Sequence, residues 1–443
     1  MKYCFCFLLI CGILENATFA QPAFEWETTK SKVVIPFQSL NNLIIIPVVI
    51  NGVKLQFILD TGVDKTVVFS LNENETVNFH NLQKIRLTGL GGGEPIEALK
   101  SGNNRMIIDG LVDYNHMLYI IPDGSIGFSS HLGIAINGII GHSFFKNAIV
   151  EIDYARKKVI VYKSLDKIKK KILRKYSTIP ISIEEQKPYV KLDIELNSNK
   201  IPVKLLIDTG SSDAIWLFTE DDKNITVPQE YFEDFLGIGF SGDIRGKRAR
   251  MQKLFFGEEI LNNPTVAFPD SISIKNVSRV EARNGSLGGE VLKRFSVVFD
   301  YNEHTLYYRK NRNFDAPFSY NMSGIELQHA GVEWIKEETL KVTRAEDRNK
   351  SDVVFDVALE EFKYKFALKP VYVISSVRKG SPGDLSGLVE GDRLVKINGK
   401  RAYKYSLQDI NALLHSEEGK SIYVEIERNG VMMKFQFYLK NIL

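Results

Sequence analysis

Apolar residues along this chain gather in short runs rich in β-branched side chains, at Thr28 to Ile50, Val53 to Leu59, Ser177 to Leu196 and Val203 to Ile207, with Asn, Asp or Gly at their borders. Runs of this length between turn-forming residues predict strands, and their number predicts a mostly β protein. A helical spacing stands out near the C-terminus: Leu407, Ile410, Leu413 and Leu414 follow Ser406-x-x-Asp409, which has the spacing of a capping box. Gly419 is expected to end that helix. Beyond it, Ser421 to Arg428 and Val431 to Leu439 read as strands joined by Asn429-Gly430, a strong hairpin signal.

One pattern occurs twice. Val53-Lys-Leu-Gln-Phe-Ile-Leu runs into Asp60-Thr61-Gly62, and Val203-Lys-Leu-Leu-Ile runs into Asp208-Thr209-Gly210. Gly89, in Leu-Thr-Gly89-Leu90-Gly91, lies 29 residues beyond Asp60, and Gly237, in Leu-Gly237-Ile238-Gly239, lies 29 beyond Asp208. Both glycine-rich segments are expected to be hairpin tips. Gly138-Ile-Ile-Gly141 and Gly285-Ser-Leu-Gly288 follow, then Ile149 to Tyr154 and Ser296 to Tyr301, at offsets of 147 or 148 residues. Each copy closes on a strand, Val159 to Tyr162 and Leu306 to Arg309. A duplicated unit predicts two halves of like fold whose pseudo-twofold packing brings both Asp-Thr-Gly turns to one axis.

Composition narrows the field. With 443 residues, 44% of them hydrophobic, two or three globular units are expected. Lys and Arg number 57 against 54 Asp and Glu, and a net +3 offers no general attraction to nucleic acid or acidic lipid. The first residues carry Met-Lys, a Cys/Phe/Leu/Ile-rich run from Tyr3 to Ile13, and Thr18 and Ala20 placed for cleavage before Gln21, which predicts a removed secretion signal over residues 1–20. As a membrane anchor its apolar run of roughly ten residues falls short of the ~20 needed to span a bilayer. Cys4, Cys6 and Cys11 all lie inside it, so no disulfide scaffold, cysteine nucleophile or thiolate metal site is expected in the exported chain. The seven histidines show no metal-ligand spacing. His142 and Ser143 have no nucleophile-elbow pattern around them and, as strand neighbours, would face opposite ways. Gly91-Gly92-Gly93 lacks the Lys and Ser or Thr of a phosphate loop. Neither a metal nor a cofactor is expected.

That leaves the paired aspartates. An apolar strand fixes the carboxylate, and the glycine lets the backbone turn tightly beneath it. Two carboxyl groups forced together share one proton and titrate as a pair, so one can take a proton from water while the other polarises a carbonyl and protonates a leaving amine. Ser211 can hydrogen-bond Asp208 and favour its charged form whereas Val63 cannot do so for Asp60, which makes Asp60 the expected proton carrier.

Residues 27–310 resemble aspartic peptidases of the retropepsin and pepsin type. Asp60-Thr-Gly-Val is similar to the retroviral turn and Asp208-Thr-Gly-Ser211 to the pepsin turn, while Ile139-Ile140-Gly141 and Ser286-Leu287-Gly288 are similar to the segment that crosses under the active site. The resemblance implies two β-barrel lobes, a catalytic Asp60 and Asp208, active-site turns through Thr61, Gly62, Thr209, Gly210 and Ser211, and an extended polypeptide substrate. Flaps carrying Gly89, Leu90 and Gly91, and Gly237, Ile238 and Gly239, would cover that substrate. Neither proposed flap has the tyrosine of pepsin-like flaps, so two mobile flaps of the retropepsin kind are implied.

The last part of the chain resembles a PDZ domain, through Gly380-Ser-Pro382, Gly387-Leu388, Gly391-Asp392 and Ile397-Asn398-Gly399. A Gly-Leu-Gly-Phe-like loop is not evident near Tyr364 to Leu368, so peptide capture and a packing role both stay open. The pairing of the two units resembles uncharacterised exported bacterial proteins, which implies a periplasmic, envelope-associated or secreted location. The resulting layout is a signal at 1–20, lobes at 27–163 and 177–310, a basic connector at 164–176, a linker at 311–317 and an α+β PDZ-like unit at 318–443. An aspartic endopeptidase that needs no second chain is the expectation. A catalytically inactive peptide-binding adaptor acting through the PDZ-like unit is the alternative.

Overall fold

The chain is mostly β, in agreement with its short apolar runs. The computed structural model describes residues 24–71, 75–121, 127–166, 168–220, 223–275, 280–340 and 362–443. The expected signal segment and its cysteines lie outside the described residues. In the first half, β1 (Lys32–Pro36) precedes β2 (Leu43–Ile50) and β3 (Val53–Leu59), which pair antiparallel through the turn Asn51-Gly52. There follow β4 (Thr66–Val68), the hairpin of β5 (Gln83–Leu87) and β6 (Ile96–Ile108), and β7 (Leu111–Ile120). After α1 (Phe128–Leu132), β8 (Gly138–Ile140) inserts between β3, to which it is parallel, and β4, to which it is antiparallel. The insertion depends on glycine, since a Cβ at Gly138 would sit 2.3 Å from the Val67 carbonyl oxygen. His142 and Ser143 lie on the short α2 (His142–Phe145), not on the strand the sequence suggests. The crossing strand stops at Gly141, packed against the Asp60 turn, and the chain coils away from it. β9 (Ile149–Asp153) and β10 (Lys158–Tyr162) complete this half.

The basic connector contains α3 (Lys169–Lys175), held by buried Ile172 with its lysines outward. The second half then repeats the order: β11 (Ser177–Glu184), β12 (Lys187–Leu196), β13 (Asn199–Ile207), β14 (Ile215–Leu217), the hairpin of β15 (Tyr231–Gly239) and β16 (Gly242–Arg250), β17 (Thr265–Pro269), β18 (Arg283–Leu287), α4 (Gly289–Leu292), β19 (Phe295–Asp300) and β20 (Thr305–Lys310). Here β18 inserts between parallel β13 and antiparallel β14 as β8 does in the first half. The halves join through one antiparallel sheet in the order β1-β10-β9-β19-β20-β11, with Ile149 opposite Asp300 at the seam. Phe145, Val150, Val297 and Phe299 from both halves share a single buried core under it. Residues 311–317, expected as a linker, are anchored: the buried Arg294 guanidinium donates to the carbonyls of Asn313, Phe314 and Pro317 and stacks on Phe318 with 3.6 Å to the ring centroid.

The C-terminal part begins with a long ribbon, β21 (Ile325–Leu340) and β22 (Phe362–Val377). Tyr364 to Leu368, considered as a loop position, therefore lie within β22. Pairing with β21 extends β22, a long-range effect that local patterning does not encode. α5 (Pro382–Leu385), β23 (Arg393–Ile397), α6 (Leu407–Leu414), β24 (Ser421–Arg428) and β25 (Val431–Tyr438) follow. The capping box is present, with Ser406 Oγ accepting from Asp409 N–H and Asp409 Oδ2 accepting from Ser406 N–H. The helix ends at Leu414, before Gly419. That glycine instead makes a left-handed turn whose N–H bonds Leu439, setting up β24. Asn429 and Gly430 both take positive φ in the β24–β25 turn, as their identities predict. Leu407, Ile410, Leu414, Ile422 and Phe437 form this unit's core, and Phe232 of β15 reaches into it from the second half.

Candidate active site

Each aspartate ends an apolar strand and is locked to the crossing strand beside it. Asp60 N–H donates to Ile140 O at 2.8 Å, and Asp208 N–H donates to Leu287 O at 2.9 Å. An asparagine next to each crossing glycine adds a second tie, since Asn137 Oδ1 accepts from Gln56 N–H at 2.8 Å and Asn284 Oδ1 accepts from Lys204 N–H at 2.9 Å. The repeat carries this signal as Asn137-Gly138 and Asn284-Gly285, and it reveals which side chains hold the aspartate-bearing strands in place.

The turns meet at the pseudo-twofold axis through a reciprocal exchange. Thr61 N–H donates to Thr209 Oγ1 and Thr209 N–H to Thr61 Oγ1, at 3.0 and 3.1 Å. The hydroxyls reach across as well, Thr61 Oγ1 to Ile207 O at 2.6 Å and Thr209 Oγ1 to Leu59 O at 2.8 Å. Both threonines are fully buried, so each bond lost leaves a polar group without water. Thr209→Val is therefore expected to lower the free energy of unfolding by about 3 kcal/mol, read from the urea midpoint. An unchanged midpoint would mean that the exchange does not hold the halves together.

Above the threonines the glycines leave room for the opposite carboxylate. A Cβ on Gly62 would lie 2.9 Å from Asp208 Oδ1, and one on Gly210 would lie 2.1 Å from Asp60 Oδ2. Each carboxylate accepts from its own turn, Asp60 Oδ1 from Gly62 N–H at 2.6 Å and Asp208 Oδ1 from Gly210 N–H at 2.9 Å, and the two carboxyl groups hydrogen-bond each other. Burial raises both pKa values. The charge of Asp208 lifts Asp60 further, well above the ordinary carboxyl range, whereas the Arg283 guanidinium and the bond from Asp60 counter burial at Asp208. The two carboxyl groups therefore titrate as a pair that keeps a shared proton above the ordinary carboxyl range.

The asymmetry has a source other than the expected one. The hydrogen bonds of Asp208 run to Gly210 and Asp60, and among the described residues none comes from the Ser211 hydroxyl. Arg283, which the sequence reading did not single out, supplies the positive charge. It donates to Gly285 O at 3.1 Å and to Ser286 Oγ at 2.9 Å. At the 147-residue offset its counterpart is Ile136, and that of Ser286 is Ile139, so the polar pair replaces an apolar pair in one half only. Ser286 in the second crossing segment, where the first has Ile139, is the visible trace of this charge.

The two glycine-rich hairpins cross over the carboxylates and bond to one another. Ser241 N–H donates to Leu90 O at 2.8 Å, Gly93 N–H to Ser241 O at 2.9 Å, and Gly89 N–H to Ser241 Oγ at 3.1 Å. The first tip includes Gly89, Leu90 and Gly91 as anticipated. The second tip is Phe240-Ser241, while Gly237, Ile238 and Gly239 belong to β15 just before it, with a bulge between Phe235 and Gly237 that shifts the turn. Gly239 is needed for close approach, since a Cβ there would meet Leu90 O at 2.1 Å. Gly91 does not line the cleft; it bonds Ser273 O and fixes the tip.

Beneath the hairpins lies a cavity of about 900 Å³ that contains both carboxyl groups, Ser211, Gly89, Leu90 and Gly237 to Phe240. Lys187, Trp216 and Arg283 also line it, and so do residues of the C-terminal part, among them Glu326, Gln408 and His415. No motif announces these residues, because their place in the wall depends on how the parts dock. Among the described residues no cluster of His, Cys, Asp and Glu is arranged to hold a metal ion, and no helix is long and apolar enough to cross a membrane.

Comparison with family models agrees with this arrangement. Residues 46–144, which include Asp60, the first hairpin and the first crossing strand, match the aspartyl protease model, and residues 373–428 match a PDZ domain model. No curated protein matches the chain. The protein thus carries an aspartyl protease domain followed by a PDZ domain. The aspartyl protease match covers the first copy of the repeat; the second is tied to it by the shared pairing of β13, β14 and β18 around Asp208.

Proposed function

We propose that the protein is an aspartic endopeptidase in which Asp60 and Asp208, from the two halves of one chain, hydrolyse a polypeptide held under the paired hairpins. The observation that carries this reading is the meeting of two Asp-Thr-Gly turns, interlocked through Thr61 and Thr209, with hydrogen-bonded carboxyl groups in one cleft. Water between the carboxyls attacks the scissile carbonyl carbon, giving one proton to ionised Asp208 while protonated Asp60 donates to the carbonyl oxygen. Asp208 then protonates the leaving nitrogen as the C–N bond breaks, and Asp60 recovers a proton from the tetrahedral diol, which returns the pair to its starting state. The cycle uses no covalent intermediate. Because one chain supplies both aspartates, we propose that a monomer suffices. We place its work outside the cytoplasm, after removal of residues 1–20, on the pattern of that segment.

The test is incubation of the purified protein with an unfolded polypeptide across acid to neutral pH, with products read by mass spectrometry in H₂¹⁸O. One ¹⁸O in each new carboxyl terminus and a pH profile with a falling limb above the ordinary carboxyl pKa are expected, since burial raises both groups and activity ends when the shared proton leaves. A folded protein that binds peptides yet cuts none at any pH would favour the adaptor reading.

A further inference from the structure

The cavity that holds Asp60 and Asp208 is closed on one side by the C-terminal part of the chain. Gln408, Asn411, Ala412 and His415, at i, i+3, i+4 and i+7 of α6 and its cap, line it, while Leu407, Ile410 and Leu414 on the other face are buried in their own unit. Asn321, Glu326 and Leu327 run alongside them. This wall is fastened to both halves. Gln408 Nε2 donates to Leu132 O at 2.5 Å in the first half. In the second, Arg248 pairs with Asp213 at 2.6 Å and Asp234 at 2.8 Å, and Asp234 pairs in turn with Arg378, whose Nη2 donates to Asn321 O at 3.1 Å. A polypeptide long enough to fill the cleft must therefore run against α6.

The chemistry of this wall is lopsided. Arg248 and Arg378 are engaged by Asp213 and Asp234. The Glu326 carboxylate accepts a bond from Asn321 Nδ2 at 3.1 Å and, among the described residues, has no cation within ion-pair distance. Around the whole cavity eight Asp and Glu face five Lys and Arg. Leu327, largely buried in its own unit's core, and Ala412 also line the cavity and add apolar atoms to its wall.

We propose that the C-terminal unit forms a substrate subsite continuous with the catalytic cleft, in which Glu326 selects a lysine or arginine side chain of the bound polypeptide. The inference rests on the reading of Asp60 and Asp208 as a peptidase pair. Burial and the charge of Asp234 push the Glu326 carboxyl up to about 7, against the opposing charges of Arg248 and Arg378, with His415 facing the same space. Selection for a cation accordingly strengthens as pH rises through that value and Glu326 ionises.

The experiment compares kcat/KM for peptide pairs identical except for lysine against norleucine, scanned through the positions flanking the cut. A lysine preference of about tenfold at one position is expected, the worth of one hydrogen bond to a charged group, growing between pH 5 and 8. Glu326→Gln should bring the ratio near one, and Asn411→Arg, on the same wall, should turn it toward glutamate-bearing peptides. Binding of the same labelled peptides to Asp60→Asn gives a second readout that needs no turnover. A lysine preference equal in the parent and Glu326→Gln, or absent from both cleavage and binding, overturns the subsite while leaving any observed cleavage to support the dyad. If nothing is cleaved but binding keeps a preference that Glu326→Gln removes, the dyad reading fails and the subsite stands. If nothing is cleaved or bound, both fall.

Discussion

Asp60→Asn and Asp208→Asn are each expected to lower kcat by about a thousandfold or more, since each removes one partner of an acid and base pair worth ~10²–10⁴. The two losses should be similar although the two residues carry different protonation states, because every step moves a proton through both. A stability measurement separates this from unfolding. Asp60 has a folded-state pKa well above its unfolded value, so the native state holds a proton that the unfolded chain has released. Between those two pKa values native stability falls as pH rises, and above the raised pKa the folded protein bears the full cost of a second buried charge. Asparagine cannot ionise and escapes this cost. Asp60→Asn should therefore melt higher than the parent at neutral pH, with the gap closing as the medium is acidified below the unfolded pKa. A variant that keeps its activity, or that melts lower at neutral pH, would show that Asp60 is not the proton carrier of a coupled pair.

Gly210→Ala is the second large effect, and it should exceed Gly62→Ala. The new methyl at residue 210 would stand 2.1 Å from Asp60 Oδ2 and 2.2 Å from its Cγ, whereas at residue 62 the nearest atom is Asp208 Oδ1 at 2.9 Å. Asp60 cannot swing aside easily, being buried and held by Gly62 N–H at 2.6 Å. The halves must separate or the carboxyl must leave its place, and misplacement of a reacting group by an ångström costs about a hundredfold. Gly210→Ala is expected to lose at least that much in kcat/KM and about 1–3 kcal/mol of stability from overpacking. Native activity and melting temperature in this variant would mean that the two turns do not face each other at this distance.

The aspartyl protease match and the repeat agree on Asp60, and the repeat alone extends the reading to Asp208. Duplication made this part legible: two copies of Asp-Thr-Gly, of the hairpin glycines and of Gly-x-x-Gly at a constant offset state a twofold arrangement without any knowledge of contacts. Features written into a few adjacent residues were equally plain, as with the capping box at Ser406 and Asp409 and the hairpin turn at Asn429-Gly430, because the atoms that satisfy one another lie within four residues. The bulge between Phe235 and Gly237 that precedes the second tip was not legible, since such an irregularity depends on the partner strand.

The mostly β character, the repeat, the two aspartates with their glycine turns and the PDZ signature are all carried by local spacing along the chain. Which charges surround those aspartates, and what closes their cleft, follow from packing between distant segments. Arg283 bears on Asp208 and Glu326 faces the same cavity although 43 residues separate one from the other along the chain, and α6 lies further still. Burial, shared protons and a wall built by a separate unit are properties of distance in space, and distance along the chain does not encode them.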